Sequence, residues 1–338
     1  NSRQEPLFSS FIFSALEEID PDLVSTVAVM IWDYEDESLQ DYLVSQADLI
    51  IAAAADFTIE QIDITRKRVN PKARFHKHGH KVSFTTIGKS YLKRGLRTDL
   101  DGSPELFDIL ALLSAMDSVF WDQYGCLSSR VHFVEQGSDE NHSPLDYAQM
   151  LVEKLRVLRV RLPRGAIPMS RIHDRFDYFN AQTFSDQVKL CSSYEDDFIV
   201  LLDERPWNPQ HFKTNVNSCI ERTIVVRPVA SVMEVPDVYL KWVEPGNLQT
   251  MYVAIDGKEQ DKWSKNLTQF LDAVGMCGIT SVRTVGRSPF AQLAYSWDGL
   301  LPQELSITYP KGYFTTVEFN NTYSGILENY KTFKVKGL

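Results

Sequence analysis

The side chain best suited to covalent chemistry is Cys126, in the stretch Asp-Ser-Val-Phe-Trp-Asp-Gln-Tyr-Gly-Cys-Leu-Ser-Ser over residues 117–129. A cysteine thiolate attacks a carbonyl carbon and holds the acyl group until a second reagent removes it. Gly125 lets the backbone come close to whatever the sulfur attacks. Taken alone, the same stretch equally suits a small core cysteine that happens to sit in a turn. Cys191, Cys219 and Cys277 lack such a turn and read as structural. The four cysteines lie far apart without Cys-x-x-Cys spacing, which speaks against a zinc knuckle or a disulfide framework. A second candidate set is His76, His78 and His80, which share one face if their stretch is extended. Imidazole is a common metal ligand, but no cysteine or carboxylate cluster lies nearby in sequence to complete a site, so no metal is expected.

The elements around Cys126 predict a firm placement. Residues 106–121 read as an apolar helix and 131–134 alternate as a strand, with the cysteine in the short turn between them. Ahead of it, residues 7–19 read as an amphipathic helix. Residues 27–32 are an unbroken apolar run, as expected for a parallel strand buried on both faces. Helix 35–46, strand 48–54, helix 57–69, a strand starting at 73–76 and strand 82–87 follow. Behind the cysteine come helix 143–162, with Ser143 as its cap and Pro144 at its first position, and helix 171–188. Strands over 197–204, 221–229 and 248–255, helix 258–274 and strand 279–285 complete the pattern. Alternation of strand and helix predicts a doubly wound α/β fold. Beyond residue 286 periodicity is weak and aromatics are many, which suggests a segment that packs on a neighbour or on the first domain. Lys154, Arg156, Arg159 and Arg161 make one side of helix 143–162 basic. A solvated face is the first reading of it, attraction of substrate phosphates the second.

Length and composition bound the partners. With 338 residues the chain holds two domains, and 43% hydrophobic with 24% charged residues is ordinary for a globular protein. A net charge of −10 argues against a nucleic-acid partner. No apolar run approaches the ~18 residues of a membrane span. Cysteine usage fits a reducing compartment, so a cytoplasmic location is expected.

Asp-Gln-x-x-Cys-x-Ser at residues 122–128, followed by a strand, resembles the nucleophile segment of the aldehyde dehydrogenase superfamily. It is most similar to the acyl-CoA reductase branch typified by the long-chain fatty acyl-CoA reductases of bacterial bioluminescence, whose element order the chain follows to about residue 286. The resemblance implies a doubly wound dinucleotide-binding domain over 1–118, a second α/β catalytic domain over 119–286, and a packing or oligomerisation segment over 287–338. It also implies that a front part, carrying an asparagine of the oxyanion hole, precedes Asn1. Residues 1–6 resemble the exit from a dinucleotide-binding strand. Where relatives often have a glutamate gripping the adenosine ribose, this chain has Arg3, preceded by Ser2. An arginine fork suits a 2′-phosphate, so the expected cofactor is NADPH. There is no G-x-G-x-x-G. The small residues Ala54 and Ala55, at a strand exit, would let the pyrophosphate approach a helix N-terminus. Glu-Arg-Thr-Ile from Glu221 resembles the family's Glu-Ile-Phe-Gly-Pro segment, whose glutamate holds the nicotinamide ribose; the aromatic is absent here.

Lys-His-Gly-His-Lys over 77–81 aligns with the family's Glu-Leu-Gly-Gly-Lys segment through Gly79 and Lys81. Lys77 thus stands where aldehyde-oxidising relatives carry the glutamate that activates water. Slow deacylation by water follows, which favours a thioester reductase. His78 is a candidate proton donor, its alternative being a surface loop residue. The implied function is NADPH-dependent reduction of a long-chain acyl-CoA, or another acyl thioester, to the aldehyde through an acyl-enzyme on Cys126. The implied partners are an acyl-activating enzyme and further copies of the chain in a homo-oligomer. A cysteine acyltransferase or thioesterase without a redox step, and an inactive interaction subunit, are the competing classes.

Overall fold

In a computed structural model of the chain, residues 8–30, 32–33, 35–97, 104–256, 264–288, 298, 316–318 and 323–335 are described. Contacts divide the chain into two units, Asn1–Gly79 and His80–Leu338. This division falls at 79/80, whereas the sequence reading drew one at 118/119.

In the first unit, α1 (Phe8–Ile19) and α2 (Pro21–Ser25) are followed by α3 (Glu37–Gln46), β1 (Leu49–Ala53), α4 (Asp56–Val69) and β2 (Arg74–His78). Asp20 and Asp36 cap α2 and α3 by accepting from Leu23 N and Leu39 N, each at 3.0 Å. β1 and β2 pair in parallel, Leu49 opposite Arg74 and Ala53 opposite His78, with α4 as the crossover between them. Arg66, Lys67 and Arg68 in the last turn of α4 suit the negative end of the helix dipole. Of the strand expected over 27–32, the described residues 27–30 and 32 form none. Val27, Val29, Met30 and Trp32 are exposed, and among the described residues the unit's sheet consists of β1 and β2. An apolar run becomes a buried strand only where a neighbouring strand takes up its N–H and C=O groups.

The second unit is built on an eight-stranded sheet of β3 (Val82–Ile87), β4 (Ser129–Glu135), β5 (Val188–Leu190), β6 (Ile199–Asp203), β7 (Thr223–Val229), β8 (Leu248–Ala254), β9 (Ser281–Thr284) and β10 (Thr316–Glu318). Its order is β10-β9-β8-β3-β4-β7-β6-β5, parallel throughout except for the edge strand β5. The central strands are buried on both faces, which suits the apolar runs of β7 and β8; β3 also buries Ser83, Thr85 and Thr86. Val131, Phe133, Val225 and Met251 point into one core, shared with α7 (Met169–Asn180), α8 (Pro209–Ser218) and α9 (Lys265–Cys277). Val134, Ile224, Val226 and Tyr252 point into the other, shared with α5 (Leu106–Val119), α6 (Pro144–Arg161) and α10 (Tyr323–Val335). Helices on both faces of a parallel sheet make this a doubly wound unit.

Ser143 and Asp146 form a reciprocal capping box at the start of α6, with Pro144 inside it. The segment beyond 286 carries more regular structure than its sequence suggested. β10 extends the sheet beside β9, and α10 buries Ile326 in the core that α5 helps form. Asn329 Nδ2 donates to Val285 O at 2.9 Å.

Candidate active site

Cys126 lies in the link from α5 to β4, at the amino edge of the large sheet. α5 stops at Val119, and a single 3-10 turn over Phe120–Gln123 follows. Trp121, Asp122 and Gln123 take φ values of 56°, 50° and 66°. Left-handed backbone costs a non-glycine residue about 1–2 kcal/mol, so the turn must be held by its surroundings. A Cβ at Gly125 would come within 3.3 Å of Ser128 Oγ, so the turn is tight at this residue. Ser128 Oγ donates to Phe120 O at 3.1 Å. On the sheet side, Ser83 Oγ donates to Cys126 O at 2.7 Å and accepts from Thr250 N at 3.2 Å. Tyr252 OH donates to Leu127 O at 2.9 Å. Ser83 of β3 and Tyr252 of β8 thus hold the backbone carbonyls of Cys126 and of the residue after it.

The thiol is partly buried. Burial pushes its pKa up, the negative charge of Asp298 pushes the same way, and hydrogen bonding by the Gln249 side chain opposes both. Gln249 Nε2 donates to Asp298 Oδ1 at 2.8 Å, and Lys81 Nζ lies 3.9 Å from Asp298 Oδ2. Asp298 and Gln249 therefore act on the sulfur, and Lys81 lies beside Asp298. Sequence reasoning used Lys81 only as an alignment anchor and missed the other two. The signal for Gln249 was a polar residue at the head of the otherwise apolar run Leu-Gln-Thr-Met-Tyr-Val-Ala. Among the other cysteines, burial pushes Cys191 up to about 11 and Cys219 up to about 12, as expected of structural thiols.

Glu221 sits in the second unit at a φ of 56°, its side chain fully enclosed. Its Oε1 accepts from Tyr124 OH at 2.7 Å and pairs with Arg171. Its Oε2 lies 3.5 Å from Arg175 and 3.8 Å from Arg164. The carboxylate that the resemblance gives to a ribose is thus committed to protein partners, two residues from Cys126 through Tyr124. Ser118, His132 and Tyr147 form a further polar chain, with His132 Nε2 at 2.8 Å from Ser118 Oγ and its Nδ1 at 2.9 Å from Tyr147 OH. All three are sealed in the core, and burial drops His132 to about 3, so this chain keeps a neutral imidazole and is structural. The basic side of α6 is paired: Lys154 contacts Asp108 at 2.6 Å, and Arg156 grips Asp196 with two bonds of 2.9 Å.

The remaining expected residues belong to the first unit. Ser2 and Arg3 lie outside the described residues. Ala54 and Ala55 join the carboxyl end of β1 to α4. No side chain caps α4 at Ala55, so a helix N-terminus with uncapped amides follows a small-residue connection. These residues fit a dinucleotide pyrophosphate, although Asp56 already places a carboxylate in the first turn. His78 is the last residue of β2 and is buried, not a surface loop residue. His76 is buried on the same strand face, but among the described residues no group of three or more His, Cys, Asp or Glu could hold a metal ion. Lys77 Nζ donates to Asp63 Oδ2 at 2.7 Å and lies 5.2 Å from the Phe75 ring centre. With Arg66 and Lys67 also on it, Asp63 is held well below the usual carboxylate range, Lys77 being the largest cause.

The acyl-CoA reductase (LuxC) family model matches residues 1–306. The chain belongs to the LuxC acyl-CoA reductase family. No curated protein matches the sequence. Among solved structures, a mutant of proline utilization A from Bradyrhizobium japonicum is 13% identical, covers 97% of this chain and 30% of its own, and has a TM-score of 0.59. The putative aldehyde dehydrogenase PutA from Anabaena variabilis is 11% identical, covers 83% of this chain and 55% of its own, and has a TM-score of 0.51. The fold of this LuxC-family chain is therefore aldehyde dehydrogenase-like. The chain spans about half the length of the aldehyde dehydrogenases it matches, 47% and 49% in two of them. Among the described residues no helix is long and apolar enough to cross a membrane.

Proposed function

We propose that the chain reduces long-chain acyl thioesters, acyl-CoA among them, to aldehydes through an acyl-enzyme on Cys126, with NADPH as the cofactor. The observation that carries the reading is the placement of Cys126. Its turn is anchored on both sides at the amino edge of the sheet, in a chain of the acyl-CoA reductase family. The sulfur attacks the thioester carbonyl, a new C–S bond forms, and the bond to the carrier thiol breaks as that thiol takes up a proton. Burial and the charge of Asp298 favour the thiol, whereas Gln249 donates toward the sulfur and favours the thiolate. A bound nicotinamide supplies a hydride to the acyl carbon. Cys126 then leaves as the thiolate when the resulting thiohemiacetal collapses to aldehyde.

The first-unit connection of Ala54 and Ala55 to α4 suits the cofactor pyrophosphate, and Arg3 with Ser2 the 2′-phosphate. His78 as proton donor, an acyl-activating partner enzyme and a homo-oligomer belong to the same reading. Aldehyde formation from long-chain acyl-CoA, measured with NADPH and with NADH, tests it. Faster turnover with NADPH and loss of aldehyde in Cys126→Ala are expected. Release of free acid without cofactor demand would place the chain with the thioesterases instead.

A further inference from the structure

Two left-handed turns meet at the amino edge of the large sheet. Trp121, Asp122 and Gln123 form the one that leads to Cys126; Glu221 and Arg222, with φ of 56° and 60°, form the one that leads into β7. Three consecutive side chains of the first turn cross to the second. Asp122 Oδ1 accepts from Arg222 Nε at 2.6 Å. Gln123 Nε2 donates to Thr223 O at 2.8 Å while its Oε1 accepts from Thr223 N at 2.7 Å. Tyr124 OH donates to Glu221 Oε1 at 2.7 Å. Residues in such backbone persist only where the surroundings determine them.

Gln123 is the centre of this lacing. It is fully buried, and its Nε2 also donates to Ser129 O at 3.0 Å. Both amide protons are therefore used and the carbonyl accepts once, so the side chain is paired on its donor and its acceptor side. Ser129 opens β4 and Thr223 opens β7, so one side chain joins the starts of two adjacent strands to the turn that carries the sulfur. Asp122 braces it from one side, accepting also from Gly165 N at 2.8 Å.

We propose that Gln123 is the positioning residue for Cys126: its side-chain amide fixes the left-handed turn to the starts of β4 and β7 and thereby sets where the sulfur meets the acyl carbonyl. The proposal rests on the reading of Cys126 as nucleophile. Gln123 acts through the backbone, so removing it leaves a thiol that is chemically competent but poorly aimed. A misplacement of ~1 Å can cost on the order of a hundredfold in rate. A small alkylating reagent, which needs no particular approach, is little affected.

The test follows acyl-adduct formation on the full chain by rapid quench and mass spectrometry with a long-chain acyl-CoA. The proteins are wild type, Gln123→Ala, Gln123→Glu and the core control Val274→Ala in α9. Gln123→Ala is expected to acylate about tenfold to a hundredfold more slowly, with the half-saturating acyl-CoA concentration within about twofold of wild type. Iodoacetamide labelling of Cys126 stays near the wild-type rate. In Gln123→Glu a carboxylate would face two carbonyl oxygens with no proton to donate. Its acylation rate relative to wild type should rise as the pH falls and the carboxyl regains a donor. Val274→Ala loses stability but acylates like wild type. Wild-type acylation in the Gln123 variants overturns the proposal, as does a loss that Val274→Ala reproduces at matched stability. If Gln123→Ala does not fold, the pH dependence of Gln123→Glu decides. Absence of an adduct on wild-type Cys126 overturns the reading of the nucleophile and the proposal with it.

Discussion

Asp117 should make the stability of the second unit depend on pH across the acid to neutral range. It lies fully buried in the last turn of α5, four residues before the left-handed turn begins at Trp121. Its two oxygens accept from Gly286 N at 2.6 Å and from Ser288 N at 2.9 Å. Burial pushes its pKa up to about 7, against the pull of those two amides and of Arg283. In the unfolded chain it titrates near the ordinary value of 3.8. Between these limits the folded protein holds a proton that the unfolded chain has lost. The contribution is therefore fully present below about pH 4 and is lost as the pH rises through about 7. Roughly three pH units at about 1.4 kcal/mol each give about 4 kcal/mol. Asp117→Asn stays neutral throughout; its Oδ1 accepts from one of the two amides while its Nδ2, a donor, faces the other, at a constant cost of about 1–3 kcal/mol. The assay is the urea-unfolding free energy of both proteins at several pH values from 4 to 8. Wild type minus variant should fall by about 4 kcal/mol across that range. A difference that is flat, or that rises with pH, would refute the argument that burial dominates the two amide bonds.

Ser143→Ala removes the hydroxyl half of the α6 capping box and should cost about 1 kcal/mol in chemical unfolding. Asp298→Asn removes the negative charge that raises the Cys126 thiol, so iodoacetamide should label Cys126 severalfold faster at pH 7, and an unchanged or slower rate contradicts the assigned cause. With acyl-CoA and no cofactor, free acid should appear much more slowly than aldehyde does with NADPH, because Lys77, tied to Asp63, offers no carboxylate to activate water; rapid acid release measured by chromatography would contradict this.

Most of the second unit was legible because each element carried its own local signal. Ser143 and Pro144 mark the start of α6, and the apolar runs of β7 and β8 are those of strands covered on both faces. The run at 27–32 is also apolar, yet among the described residues no neighbouring strand pairs with it, and pairing is not encoded in the run itself. β10 and α10 were missed because their burial depends on β9 and α5, distant in sequence. At the site, the Asp-Gln-x-x-Cys-x-Ser pattern located the turn but not what its Asp and Gln do. Their partners, Arg222 and Thr223, lie 100 residues away. Asp298 and Gln249 were equally hidden, since their effect on Cys126 arises only when the starts of β3, β4 and β8 are brought side by side. Glu221 was singled out for a ribose by resemblance, but the arginines around it were not foreseen, because Arg164, Arg171 and Arg175 form no motif with it along the chain.

Intact-protein mass spectrometry after incubation with a long-chain acyl-CoA tests the central claim most directly. Wild type should gain the mass of one acyl group, peptide mapping should place it on Cys126, and added NADPH should discharge it with release of the aldehyde. Cys126→Ala should gain nothing. An adduct that persists on Cys126→Ala, or one on wild type that NADPH leaves in place, would contradict a cysteine acyl-enzyme reduced by the nicotinamide.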